Sequence, residues 1–390
     1  MGNFYCAAPW RGLHINVRGD VKTCCAGNPN MLGNLDSQGI EEILNGTKLK
    51  EIRTAIRQGL SHEYCSNCTD REKHGGDSER SWHNSVNSDF DYITASLEYE
   101  FPTIIDVRWN NTCNLSCNYC GPKDSSKWAS LQKMPIVSDT RHYYADVCDF
   151  IEKHYDNVKE VALVGGEPLL LPENNRLLEV IPKDCIVTLI TNLSNPLENN
   201  KIFKKLSERQ RVGWSISFDN IYDRFEYVRH GANWQLMLHN LDLVQGLMKS
   251  NGHWGGIHAV YNLYNATRLC EFKTFANQRG LSIRWQNLSH PDLLDPRNYG
   301  KEVADLASQE IQNLYANFQV DSQEKDLFDS ALSTYNSKTA TDFVKLNKLK
   351  TWIEEIEHMY HQTKLENLPD SGQNLEIYYG SRSSLSQSPS

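Results

Sequence analysis

Residues Cys113 to Cys120 read CNLSCNYC and set three thiols at the spacing CxxxCxxC. Thiolates bind soft metals, and iron–sulfur clusters are held by cysteine sulfur. A 4Fe–4S cube takes four ligands; this loop offers three and leaves one iron open to something other than protein. A His or a distant Cys that closed a tetrahedron would make the same loop a zinc site. The first 76 residues hold a second set, Cys6, Cys24, Cys25, Cys65 and Cys68. Its layout is a cysteine, a hairpin, a cysteine pair, a helix and a CxxC, which also suits a zinc knuckle. Eleven cysteines, with no basic start and apolar core over Met1–Asp20, point to reduced thiols, metal ligands and the cytosol.

With Tyr119 before its last thiol, the loop resembles the cluster loop of the radical S-adenosylmethionine (SAM) enzymes. The resemblance implies that Cys113, Cys117 and Cys120 hold a catalytic 4Fe–4S cluster whose open iron is chelated by SAM. It further implies reductive cleavage of SAM to methionine and a 5′-deoxyadenosyl radical, which abstracts hydrogen from a substrate. Gly165, Gly166 and Glu167, followed by Pro168, resemble the family's GGEP motif, where the SAM amino group is received. Thr191 and Asn192 resemble its TNG, although Leu193 replaces the glycine. Ser215, Ser217 and Asp219 resemble the S-x-D segment near the SAM carboxylate and ribose. Arg229, in Arg229-His230-Gly231, resembles the R-G element, and Asn262 a polar position near the adenosine. Each of these residues also fits an ordinary turn or cap.

Cys6, Gly19 and Cys24 are spaced as in the SPASM and twitch domains, which bind auxiliary 4Fe–4S clusters. That implies Cys6, Cys24, Cys65 and Cys68 as the ligands of one auxiliary cluster. Such a domain usually follows the barrel, and here it comes first. Cys24 stands four residues beyond Gly19, as the pattern requires; Cys25 does not. If both end a strand they point to opposite faces, so Cys25 is expected to be spare. It is read with Cys148, Cys185 and Cys270 as a small buried residue.

The elements that must carry these residues follow from periodicity. Leu13 to Val17 and Val21 to Cys24 read as a hairpin turning at Gly19, and Gly39 to Arg57 as one amphipathic helix. Thr103–Trp109, Glu160–Val164, Ile186–Thr191, Val212–Phe218, Gly256–Tyr261 and Leu281–Gln286 read as strands. Helices are predicted between them at Asp139–His154, Glu173–Val180, Leu197–Glu208, Trp234–Met248 and Leu269–Arg279. The alternation argues for a parallel α/β sheet, open or closed. The resemblance selects a partial (β/α)6 TIM-like barrel, with ligands at the C-terminal strand ends. Residues 1–76 are then the auxiliary-cluster domain, 77–100 a polar connector and 101–290 the barrel. Residues 291–370 form a helical region, with helices at Glu302–Phe318 and Thr341–Lys364, and 371–390 a Ser-rich tail.

At 390 residues, with 39% hydrophobic and 23% charged content, the chain has ample length for a core. No apolar run is long enough for a membrane span, and a net charge of −9 argues against nucleic acid as a general partner. The partners expected are a peptide or small-molecule substrate and an electron donor such as flavodoxin or ferredoxin. Peptide modification is the favoured reading. Oxidation of a small sugar or alcohol by the same chemistry, or a non-catalytic iron–sulfur or zinc protein, are the alternatives.

Overall fold

The computed structural model describes residues 4–28, 32–73, 78–135, 143–288, 290–340 and 342–362. Strand β1 (Gly12–Ile15) turns into β2 (Asp20–Lys22) through Gly19, whose φ of +80° suits glycine, and β3 (Gly33–Asn34) pairs beyond it. The strand ends at Lys22, so Cys24 and Cys25 lie past it in a turn rather than on opposite strand faces. The helix predicted over Gly39–Arg57 is two, α1 (Ile40–Leu44) and α2 (Thr47–Arg57). Asn45 and Gly46 break it, because the Asn45 side-chain oxygen accepts the Tyr99 amide at 2.7 Å and Gly46 is the extended residue ahead of α2. Helix α3 (Ser66–Lys73) begins inside the CxxC.

The stretch expected to be a loose connector is packed. It holds α4 (Glu79–Val86), opened by a reciprocal cap between Ser78 and Ser81. Beyond it Tyr92 stacks on Tyr5, and the Trp10 indole donates to the Ser96 carbonyl at 2.7 Å. Aromatic anchors fix the segment, and several of its polar residues, Arg80, His83 and Asn87 among them, are buried with it.

Six parallel strands follow: β4 (Ile104–Val107), β5 (Glu160–Leu163), β6 (Ile186–Thr191), β7 (Val212–Ser217), β8 (Trp254–Tyr261) and β9 (Ile283–Asn287). Between them run α5 (Tyr144–Lys153), α6 (Glu173–Val180), α7 (Lys201–Ser207), α8 (Trp234–Ser250) and α9 (Leu269–Gln278). The predicted start of α5 at Asp139 lies outside the described residues. Helix α7 starts later than predicted, at a cap where Asn200 accepts the Phe203 amide. Each strand neighbours the next in sequence, with β1 added parallel to β4 and the hairpin beyond, so the N-terminal segment continues the same sheet. Right-handed crossovers that all step the same way put every helix on one face and curve the sheet round the other. The result is a partial (β/α)6 barrel.

Strand alternation then separates two environments. Ile105, Val107, Val161, Leu163, Val187, Leu189, Ile216, Ile257 and Ile283 point out and are buried in the main core. The residues between them face the lumen. Helices α10 (Lys301–Asn317), α11 (Ser322–Tyr335) and α12 (Phe343–Gln362) follow the barrel. The periodicity reading did not include α11, which is opened by a capping box between Asp321 and Glu324 and packs Phe328 on Trp285 of β9. Thr341, Lys364 and the tail lie outside the described residues. Among the described residues no helix is long and apolar enough to cross a membrane.

Candidate functional site

The chain leaves β4 into the loop that carries the three thiols. Ser126 ties its start by accepting the Cys113 amide at 3.1 Å, and the Trp128 indole donates to the Cys117 carbonyl at 2.8 Å. Ser116 and Cys117 pair antiparallel with His230 and Arg229, so the loop is clamped to the segment after β7. Helix α12 closes over it. The Tyr360 hydroxyl lies 2.7 Å from the Ser116 carbonyl and 2.8 Å from Asn118 Oδ1, and its ring stacks on His230 at 3.5 Å. Cys117 is buried, and Cys113 and Cys120 are half-buried. Burial pushes the Cys113 thiol up to about 12 and also raises Cys117 and Cys120, as do the neighbouring thiols around Cys113 and Cys120. Clustered buried thiolates form only against a cationic centre, so the donor set fits an iron–sulfur group. Among the described residues no three His, Cys, Asp or Glu side chains close round a single ion.

The strand ends C-terminal to β5 and β6 press on this loop. A side chain at Gly166 would meet the Thr112 carbonyl oxygen at 2.2 Å, so it is the loop backbone leading to Cys113 that requires glycine there. The Glu167 amide donates to that same carbonyl at 2.8 Å. Its carboxylate accepts from Thr191 Oγ1 at 2.7 Å and from the amides of Asn192 at 2.8 Å and Leu169 at 3.1 Å. Burial nevertheless pushes Glu167 up to about 7. It acts as a strut between two strand ends, and Asn192 passes the support on with Nδ2 3.9 Å from Cys113 Sγ. Leu193, where the family pattern has glycine, takes the left-handed conformation glycine would (φ +49°) and is fully buried.

Asp219 and Arg229 form the second support. Arg229 Nη2 is 2.9 Å from Asp219, Val260 donates its amide to that carboxylate at 2.6 Å, and the Tyr119 hydroxyl donates to it as well. Ser215 and Ser217 lie on the lumen face of β7, in the row of Gly213, which lines the chamber with Ser215. Asn262 is fully buried, where it donates to the Val260 carbonyl and accepts the Tyr264 amide. Ser126, Trp128 and Tyr360 were not singled out from the sequence. Ser126 and Trp128 sit just past the motif in a Ser-capped helix, which is a usable signal; Tyr360 has none within its neighbourhood.

In the N-terminal segment Cys6, Cys24, Cys65 and Cys68 line one small cavity with Thr23 and Tyr64. Burial, with the charges of neighbouring thiols, raises Cys6 and Cys24 far above the ordinary thiol range. Four thiols lining one small cavity suit a cluster held by cysteine alone. Cys25, expected to be buried, is exposed and faces the barrel lumen beside Glu79. Cys148 and Cys185 are buried, and Cys270 is half-buried.

The lumen is a chamber of about 880 Å³ reached by all six barrel strands, β1, α4 and the Cys24–Cys25 turn. Its wall is polar. Asp106 is held down at about 2 by His14 and Arg108 against the opposing effect of burial; Arg108 bonds both its oxygens at 3.2 and 3.1 Å.

Residues 6–69 match the profile of SPASM, an iron-sulfur cluster-binding domain, and residues 107–264 that of the radical SAM superfamily. In sequence the chain is similar to molybdenum cofactor biosynthesis protein 1 of Drosophila melanogaster, 23% identical over 188 residues (47% of this chain, 31% of the relative). It is similar also to 7-carboxy-7-deazaguanine synthase of Clostridium acetobutylicum, 36% identical over 94 residues (24% of this chain, 38% of the relative). The chain spans about a third of the length of these curated relatives. Among solved structures it is similar to Streptococcus suis SuiB bound to S-adenosylmethionine, with 15% identity, a TM-score of 0.39, 87% of this chain covered and 64% of that one.

Proposed function

From a chain that belongs to the radical SAM superfamily and carries a SPASM domain ahead of its barrel, we infer an enzyme that cleaves SAM reductively and takes hydrogen from a peptide. The observation that carries this reading is the convergence at the C-terminal strand ends. Three thiols on one loop meet the Gly165–Glu167 and Thr191–Asn192 ends there, with Asn192 3.9 Å from Cys113. Cys113, Cys117 and Cys120 would hold the catalytic cluster, and Cys6, Cys24, Cys65 and Cys68 the auxiliary one. Such a cluster with bound SAM would supply radical hydrogen-abstraction chemistry.

The chain's own part is support and enclosure. Glu167, Asn192, Arg229 and Tyr360 fix the loop from four directions, and the curved sheet screens the lumen from water. Ser217, in the lumen-facing row of β7 and two residues before Asp219, is placed to meet the polar end of SAM. The mixed wall of the chamber, apolar surface with charged and hydrogen-bonding groups set in it, suits a peptide side chain with its backbone. The electron is to come from an outside donor of flavodoxin or ferredoxin type.

The test is anaerobic reconstitution followed by iron and zinc analysis and a SAM-cleavage assay with dithionite. About eight irons, two cubes of four, and release of 5′-deoxyadenosine support the reading. Replacing Cys113, Cys117 and Cys120 together with Ala should remove one cube and all 5′-deoxyadenosine. Stoichiometric zinc with no cluster signal would sink it.

A further inference from the structure

At the end of the chamber away from the thiol loop stand two carboxyls that form no ion pair among the described residues. Glu160 is the first residue of β5, and its side chain faces the lumen although only 5% of the residue is exposed. Its closest hydrogen-bond partner is the Thr188 hydroxyl at 3.4 Å, a long contact, and it forms no ion pair among the described residues. Burial pushes the group up to about 7, which the Thr188 hydroxyl and the charge of Arg211 offset only in part. Glu79, which also makes no ion pair among the described residues, lines the same chamber and adds its negative field to Glu160.

A second, independent feature lies beside them. His83 stands one turn after Glu79 on α4, so both project from one helix face. The imidazole is 2% exposed, lines the chamber, and its Nδ1 has no hydrogen-bond partner. It packs over Gly12, where a side chain would meet its ring at 2.9 Å. Gly12 pairs with Ile104 and Ile104 with Glu160, so the ring and the carboxyl share one row of the sheet, about 10 Å across two strand spacings. Burial holds His83 down at about 4, which leaves a neutral ring with a lone pair to offer. An imidazole nitrogen without a partner and two carboxyls outside any ion pair are acceptors that an N–H-rich cation could use.

We propose that this end of the chamber is a cation-recognition pocket in which Glu160, Glu79 and His83 receive the basic side chain of a peptide substrate. The proposal rests on the peptide reading given above and adds the class of residue recognised. From Glu160 to Val164 the lumen face of β5 rises about 13 Å, room for a long side chain with its backbone nearer the thiols. Asp106 does not compete for the cation, being occupied by His14 and Arg108. Arg284, unpaired among the described residues, stands four strands away on β9, about 19 Å along the sheet, where it can meet a carbonyl or carboxylate of the same peptide.

The test uses the full chain, reconstituted with both clusters, and three capped tripeptides, acetyl-Ala-X-Ala-amide with X as lysine, norleucine or glutamate. Calorimetry should show the lysine peptide binding at least about tenfold more tightly than norleucine, with glutamate weakest. Glu160→Gln should erase most of that preference by weakening the lysine peptide alone. Glu79→Gln, at a half-buried position in the first turn of α4, should weaken it in the same direction. Norleucine or glutamate binding as well as lysine, no binding of any peptide, or an undiminished preference in both variants would each overturn the proposal. Wild-type 5′-deoxyadenosine release without peptide, measured on the same samples, decides the radical SAM reading separately.

Discussion

Arg229 reaches Cys117 directly, with Nη1 3.9 Å from the sulfur, while its Nη2 is held 2.9 Å from the carboxylate of Asp219. The two residues are 112 apart in sequence and are cross-strand partners in a two-residue ribbon. A buried guanidinium thus places positive charge beside a thiol that must ionise, and Asp219 keeps that guanidinium oriented. Burial disfavours the charged form of Arg229, yet Tyr119 and Asp219 raise it above its ordinary range. The arginine stays charged at any working pH.

Breaking this pair should therefore be costly. Arg229→Met leaves Asp219 buried without its partner, and such orphaned charges destabilise by about 3–5 kcal/mol. Urea denaturation of the cluster-free protein checks this, and adding Asp219→Leu to the same chain should recover part of the loss. A single variant within about 1 kcal/mol of wild type would show that the pair carries little of the loop's support.

The adjacent thiols Cys24 and Cys25 should behave differently. Cys24 lines the cavity with Cys6, Cys65 and Cys68, whereas Cys25 opens to the lumen beside Glu79. Cys24→Ala is expected to lose or damage the auxiliary cluster and to keep uncoupled SAM cleavage. Cys25→Ala is expected to keep both clusters. Iron content and cluster spectroscopy on the two variants decide it, and the reverse pattern would move the ligand by one residue.

Glu167→Gln tests the strut. Oε1 accepts from Thr191 and Leu169, and Oε2 from Asn192. An amide keeps one acceptor and presents a donor in place of the other, so one buried partner is left unpaired in either orientation. The expected loss is about 1–3 kcal/mol of stability in the cluster-free protein, read by denaturation. Unchanged stability would mean that the loops are held without the carboxylate.

Glu160 gives the pH dependence. Burial, the largest influence, raises its folded pKa from 4.5 to about 7. Between those values the folded chain holds a proton that the unfolded chain has lost, so stability falls as pH rises from about 4.5 to 7 and stays lower above. The full effect is about 3 kcal/mol at most. Glu160→Gln should then be more stable than wild type at pH 8 and nearly equal to it at pH 4. Parallel denaturation series at the two pH values check this; a gain that is the same at both would remove Glu160 as its source.

What the sequence determined by itself was short-range. Thiol spacing in the two cysteine sets, the alternation along six strands and the turn at Gly19 are written within a few residues of one another, where backbone geometry alone relates them. Two breaks escaped that reading: Asn45-Gly46 within an apolar helix pattern, whose use depended on Tyr99, and the packing of 78–100, which depended on Tyr5 and Trp10. Only the tertiary structure decided what the motif residues touch. Glu167 turned out to brace Thr191 and Asn192, and Asn262 to close its own turn. Tyr360 came down on a loop more than 240 residues earlier. Such contacts depend on how six crossovers curve the sheet and bring its ends round, and no local pattern of residues encodes that closure. The orientation of Cys25 and the unpartnered Nδ1 of His83 belong to the same class, because each is set by what neighbouring elements bring against it.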